Sequence, residues 1–224
     1  MNRKLAIDRF EDTDIYPVTC EALSSGRSNL DVLGEMIKGG AGIIQLREKH
    51  YSARDLYPLA VAFRKVTADA GVLLIINDHI DIALAVEADG VHLGQEDLPI
   101  PVARKLAPEL LIGASTHSRE EALQAEKEGA DYINIGPIFP TKTKEKVARF
   151  LGPESITTIS AGIQVPFSVM GGINATNIDT VLGRGARHVA VVTAITKAPD
   201  IAGSVRMLRS LFPGKSQNPT TEPA

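Results

Sequence analysis

Short β-branched apolar runs alternate with helical patterns along almost the whole chain, and this alternation restricts the fold more than any other feature. The runs are IYPVT (15–19), GIIQL (42–46), VLLII (72–76), GVHL (90–93), LIGAS (111–115), YINIG (132–136), PFSVM (166–170) and HVAVV (188–192). They read as eight strands, near-continuously apolar as strands covered on both faces are. Helical segments lie between them. Leu56, Leu59, Ala60, Phe63 and Val66 fall close to one helical face behind Ser52 as N-cap. Ser118 and Glu121 form a capping box that opens SREEALQAEKEG, and Gly129 closes it; Asn174 can cap ATNIDTVLGRG. Eight β-then-α units fit a single (β/α)8 TIM barrel, class α/β, near the lower end of that fold's size range. An open doubly wound sheet needs the same alternation. With no long linker or composition shift, one barrel over residues 1–212 is the preferred arrangement. The last stretch, PGKSQNPTTEPA (213–224), is rich in Pro, Ser and Thr and is expected to be disordered.

Composition narrows the function. At 224 residues and 44% hydrophobic, the chain can bury a large core. A net charge of −3 gives no electrostatic footprint for nucleic acid or an anionic membrane. One cysteine excludes an internal disulfide framework, and no Cys/His spacing suggests zinc. The opening MNRKLAIDRFEDTD lacks the apolar core of a signal peptide, and no apolar run reaches the roughly 18 residues of a membrane span. A soluble cytoplasmic protein acting on small molecules is expected; a homo-oligomer is compatible with the sequence.

In a barrel the C-terminal strand ends converge on one rim, where active sites lie. The residues following each run can therefore be read together. After the second strand, Gln45, Arg47 and Lys49 alternate in QLREK, which lets two cations and an amide share one side of an extended chain. Arg forks and Lys point charges both pair with phosphate oxygens. The third strand ends in Asn77-Asp78 and the fourth in GQED, which contains Asp97. Two carboxylates from neighbouring strand ends suit Mg2+, which takes one or two carboxylates together with substrate phosphates. A helix cap or an ordinary loop explains either Asp taken alone. Ser115 closes the fifth strand, as a phosphate donor or as a helix-start residue. GPIFPTKTK (136–144) offers Thr141, Thr143 and Lys144 on a proline-stiffened loop. MGGI (170–173) and VVTAIT (191–196) follow the seventh and eighth strands, where barrels often hold a phosphate. Two anion sites on one rim emerge: a cation-lined, carboxylate-flanked one suited to Mg2+-diphosphate, and a neutral backbone cradle suited to a monophosphate.

In this order, QLREK, INDHIDIA, DGVHLGQEDLP, IGASTH, DYINIGPIFPTKTK and GGINATNI closely resemble the thiamine phosphate synthase (thiamine-phosphate pyrophosphorylase) family over about residues 15–212. The resemblance implies a (β/α)8 enzyme of thiamine biosynthesis. It would be a Mg2+-dependent transferase joining 4-amino-2-methyl-5-(diphosphooxymethyl)pyrimidine to 4-methyl-5-(2-phosphoethyl)thiazole with loss of diphosphate. Gln45, Arg47, Lys49, Asn77, Ser115 and Lys144 match the pyrimidine-diphosphate ligands. Arg47, Lys49, Ser115 and Lys144 are the catalytic candidates among them. Asp78 and Asp97 match the magnesium ligands. Thr141, Thr143, Gly172, Val192 and Thr193 match the thiazole-phosphate contacts. The nucleophile is a ring nitrogen, so no general base is implied, and His79, His92 and His117 are read as packing or hydrogen-bonding residues.

The chain departs from the family pattern at Cys20, where Asp is common, and in EALSSGRSN behind it. Both are expected to affect local packing. Two rivals share the features. A thiazole tautomerase on the same fold would use His117 as base but needs no full diphosphate and magnesium set. A non-catalytic sensor would have a decayed rim, against which Arg47, Lys49, Asp78, Asp97 and Lys144 argue.

Overall fold

In the computed structural model, which describes residues 2–141 and 150–214, the eight runs form eight parallel strands: β1 (Ile15–Pro17), β2 (Ile43–Leu46), β3 (Leu73–Asn77), β4 (Gly90–Leu93), β5 (Leu111–Thr116), β6 (Tyr132–Ile135), β7 (Phe167–Met170) and β8 (His188–Val191). Each pairs in parallel with its sequence neighbours from β2 to β8, and β8 pairs with β1. The ring closes between β1 and β2. Past Pro17 the chain stays extended; Val18 N–H donates to Val191 O, and Thr19 N–H donates to Gln45 O, each at 2.9 Å. That is a (β/α)8 barrel, not an open sheet.

Helices α1 (Arg3–Glu11), α2 (Asn29–Lys38), α3 (Ala53–Asp69), α4 (Ile80–Ala85), α5 (Ile100–Leu106), α6 (Arg119–Glu128), α7 (Glu154–Ser160), α8 (Ile178–Leu182), α9 (Thr193–Thr196) and α10 (Ile201–Ser210) complete the described chain. Ser52 caps α3 by accepting from Asp55 N–H. Ser118 caps α6 through Glu121 N–H, but the Glu121 carboxylate reaches back to His117 N–H at 2.7 Å, one residue beyond a strict capping box. Gly129 ends α6 with φ 101°, which a glycine adopts without steric penalty. Asn174 departs from expectation. Its Oδ1 accepts from Thr176 N–H and Oγ1 in a local turn, and α8 starts after Asn177 without a side-chain cap. A short Asn side chain is satisfied by its own loop before the helix begins.

The period-two alternation of the strands separates two apolar cores. Ile44, Leu46, Leu74, Ile76, Val91, Ile112, Ile133, Val169 and Val189 face outward into the layer packed by the helices. Tyr16, Ile43, Leu73, Ile75, Leu111, Tyr132 and Ala190 fill the barrel interior. The near-continuous apolar character read from the sequence holds on the outer face and in the lower interior. Towards the rim the buried set turns polar, with Gln45, Asn77, His92, Asn134 and Ser168.

Helix α1 was not legible in the sequence, because only Ala6 and Phe10 of its residues are buried. It reaches the N-terminal end of the barrel, where the Phe10 ring stacks on Tyr132 with centroids 4.3 Å apart. The same end is pinned by carboxylates placed one residue before a strand. Asp89 accepts from Leu74 N–H and Arg64; Asp131 accepts from Ile112 N–H, Arg3 and Arg104. These charge-assisted bonds fix strand register at the face opposite the rim. Stability and chemistry thus occupy opposite ends of the barrel. The tail expected to be disordered lies, from residue 215 on, outside the described residues.

Candidate active site

One cleft of about 1010 Å3, counted with its open mouth, sits over the C-terminal strand ends. Gln45, Arg47, Lys49, Asn77, Asp78, Ser115, Thr141, Gly172, Val192 and Thr193 all line it, so residues drawn from five strand ends and one loop meet in one space. Thr143 and Lys144 lie outside the described residues.

The β2 exit works by alternation. Gln45, Arg47 and Lys49 line the cleft. Glu48 is buried away from it and accepts from Glu21 N–H at 3.0 Å and from Thr19 Oγ1 at 3.4 Å. Burial pushes the Glu48 carboxyl above its ordinary value. Arg47 N–H donates to Thr19 Oγ1 at 3.0 Å. The extended geometry that aims two cations at the cleft is therefore held from behind. Cys20, the departure at the β1 exit, is half-buried and its thiol is pushed up, first by burial. The unusual EALSSGRSN that follows supplies Arg27, whose guanidinium donates to Ser24 O, Thr196 O and Ala198 O at 2.7–2.9 Å. That clamp ties the β1 exit to α9.

Asp78 sits at the end of β3 in the left-handed region, φ 63°, with its N–H donating to His92 O at 2.8 Å. Asp is among the few side chains that tolerate this conformation. Its carboxylate pairs with Lys49 Nζ at 2.8 Å. Asp97 lies beside it and ties its own loop, with Oδ2 accepting from Gly94 N–H at 2.6 Å. Burial, then the adjacent Asp78 carboxyl, push the Asp97 carboxyl up; the Gly94 N–H and Lys49 pull it down. Two crowded carboxylates of this kind form an oxygen donor set that a divalent cation relieves. Among the described residues no group of three or more His, Cys, Asp or Glu could hold a metal. Such an ion would need ligand oxygens to complete its shell, which matches how Mg2+ is usually bound with phosphates.

Across the mouth, Gly171 and Gly172 follow β7 with φ 105° and 64°. A side chain at Gly172 would meet Pro140 O at 2.5 Å and Phe139 Cβ at 2.9 Å. This glycine therefore lets the chain after β7 pack on the chain after β6. After β8 the chain turns at Val192 into α9, whose first N–H groups have no acceptor within the helix.

His117 lines the cleft with Nδ1 2.9 Å from Glu121 Oε2. His79 stands 3.8 Å from Asp81. The reading of His92 as a packing or hydrogen-bonding residue holds, but sequence reasoning missed the layer it joins beneath the rim. His92 bridges Ser115 Oγ and Tyr132 OH, and Asn134 Nδ2 donates to Ser168 Oγ at 2.9 Å. Inward alternation along β4 and β6 was the signal available, because His92 and Asn134 occupy in-facing positions in runs read as apolar.

Comparison with known proteins agrees with the fold. Residues 15–195 match the family model described as thiamine monophosphate synthase. The thiamine-phosphate synthase of Pelotomaculum thermopropionicum is 45% identical over 96% of this chain and 99% of its own length. That of Chloroflexus aurantiacus is 44% identical over 92% and 96%. Among solved structures, thiamine phosphate pyrophosphorylase from Pyrococcus furiosus superposes with TM-score 0.83 at 39% identity, covering 90% of this chain and 96% of that one. A 3-hexulose-6-phosphate synthase at TM-score 0.65 and 19% identity shares the fold alone.

Proposed function

The chain belongs to the thiamine monophosphate synthase family, and from that premise we propose how its rim divides the work of making thiamine phosphate. The reaction breaks the bond between the pyrimidine methylene carbon and the diphosphate oxygen. Diphosphate leaves with the electron pair, and the thiazole ring nitrogen forms the new C–N bond with its own lone pair. No proton has to be removed from the nucleophile.

Charge builds on the departing diphosphate, so the catalytic demand is for cations there. Arg47 and Lys49 supply two, and the family resemblance assigns a third to Lys144. Asp78 and Asp97 would hold Mg2+, which when bound would neutralise diphosphate oxygens as a Lewis acid. Until a cation arrives, Lys49 balances Asp78 and keeps the site from repelling an incoming polyanion. Gln45, Asn77 and Ser115 orient the pyrimidine. Thr141, Gly172, Val192 and Thr193 hold the thiazole phosphate, a role the resemblance extends to Thr143. Holding both reactants in one cleft makes the attack effectively intramolecular.

One observation carries this reading: Arg47, Lys49 and Asp78 line the same cleft as Gly172 and Thr193. The test is incubation of the purified protein with both precursors and Mg2+, following thiamine phosphate and released diphosphate. Equal amounts of both products are expected, and neither without the thiazole. His117→Ala in the same assay separates this chemistry from proton transfer. General acid–base assistance is worth roughly 10²–10⁴-fold, whereas a synthase needs none, so a rate within about tenfold of the parent is expected. A folded His117→Ala protein a thousandfold slower would contradict the proposal.

A further inference from the structure

Beneath the rim a single hydrogen-bonded chain crosses the barrel interior through five strands. Gln45 Nε2 donates to the Tyr16 hydroxyl at 2.8 Å. The Tyr16 and Tyr132 hydroxyls are 3.0 Å apart, Tyr132 OH is 3.1 Å from His92 Nδ1, and His92 Nε2 is 2.9 Å from Ser115 Oγ. Both tyrosines are fully buried, and Gln45 and His92 nearly so. The packing around the chain fixes it. Phe10 stacks under Tyr132, and a Cβ at Gly113 would lie 2.0 Å from Tyr132 Cζ, so glycine there makes the space the ring fills.

Proton counting gives the chain a direction. A phenol has one proton to donate, and burial raises both tyrosines so that they keep it. Tyr16 accepts from Gln45, and donating to Tyr132 gives its own buried proton a partner. Tyr132 then donates to His92 Nδ1. With Nδ1 accepting, the neutral imidazole carries its proton on Nε2 and donates to Ser115 Oγ. Ser115 is left with its own hydroxyl proton to give, and Gln45 with its carbonyl oxygen to accept.

We propose that His92 is a positioning residue for the pyrimidine: through this chain it presents Ser115 to the cleft as a hydrogen-bond donor while Gln45 presents an acceptor. The pair is complementary to a ring that bears an amino group and unprotonated ring nitrogens. The proposal rests on the reading that Gln45 and Ser115 face the pyrimidine substrate. It deepens that reading by adding Tyr16 and Tyr132, which lie beneath the cleft, and His92, which joins them to Ser115.

Two measurements test it. In protein labelled with 15N-histidine, His92, identified by its loss in His92→Gln, should give the correlation pattern of the Nε2–H tautomer. Tyr132→Phe should abolish that preference. An Nδ1–H tautomer in the parent would reverse the chain and overturn the proposal, whether or not the protein makes thiamine phosphate. In kinetics, Tyr132→Phe should raise KM for the pyrimidine diphosphate by about five- to tenfold, the loss of one hydrogen bond, and leave KM for the thiazole phosphate unchanged. Ser115→Ala should cost much less in the Tyr132→Phe background than in the parent, because the two act through one chain. Equal shifts in both KM values, or full additivity, would reduce Tyr132 to a packing residue and overturn the proposal. Failure of the parent to join the two precursors would instead sink the family-level reading while leaving the tautomer result standing.

Discussion

Asp78→Asn and Asp97→Asn are each expected to lower the rate of thiamine phosphate synthesis by about a hundredfold or more, a loss of several kcal/mol of transition-state stabilisation. The reasoning starts from the two strand ends. The carboxylates of Asp78 and Asp97 crowd each other, and the Gly94 N–H and Lys49 offset them. Replacing either by the isosteric amide removes one negative charge from the donor set while leaving the shape. At Asp97 the amide oxygen can still accept from Gly94 N–H, so the loop stays folded. At Asp78 the left-handed backbone is equally open to Asn. The readout is kcat at saturating pyrimidine diphosphate as a function of Mg2+, with melting temperatures to confirm folding. The apparent requirement for Mg2+ should rise in both variants, and EDTA should silence the parent. Full turnover by EDTA-treated protein without added metal would remove these two residues from the catalytic site.

Arg47→Ala is expected to reduce kcat/KM for the pyrimidine diphosphate by roughly 10²–10³-fold, the typical loss when one preorganised donor to developing charge is removed. Arg47 is aimed by what surrounds it. Its backbone N–H is held by Thr19 Oγ1, and the buried Glu48 next to it anchors the opposite side of the extended chain. Removing the guanidinium leaves those anchors in place, so the expected change is in chemistry and not in folding. Arg47→Lys should recover only part of the loss, because an ammonium keeps the charge without the planar fork that pairs two phosphate oxygens. KM for the thiazole phosphate should stay near the parent value. A fall of less than threefold in Arg47→Ala would mean that the diphosphate leaves from elsewhere on the rim.

Much of this was legible in the sequence, for physical reasons. Eight apolar runs separated by helical segments leave few alternatives to a barrel, and a barrel rim gathers whatever follows each strand. Gln45, Arg47 and Lys49 could be placed on one side by alternation alone, and the structure brings them into one cleft with Asp78 and Gly172. Other features were hidden. Helix α1 shows too few buried positions to announce itself, yet Phe10 closes the bottom of the barrel. His92, Tyr16 and Tyr132 acquire meaning only when β1, β4 and β6 face one another across the interior, a relation that no local pattern contains. Gly172 looked like room for a ligand, and the structure adds close packing on Phe139 and Pro140 after β6. Asn174 looked like a helix cap, but its own turn satisfied it first.

The central claim is that two different anions are bound on one rim: a diphosphate on the β2–β4 side and a monophosphate between the loops after β7 and β8. A crystal structure of the protein with Mg2+, diphosphate and thiamine phosphate tests this most directly. The account predicts Mg2+ on the Asp78 and Asp97 carboxylates, with diphosphate oxygens completing its shell and contacting Arg47 and Lys49. It predicts the thiamine phosphate group near Gly172, Val192 and Thr193. Both anions on the same loops, or diphosphate bound away from Arg47 and the two carboxylates, would contradict it.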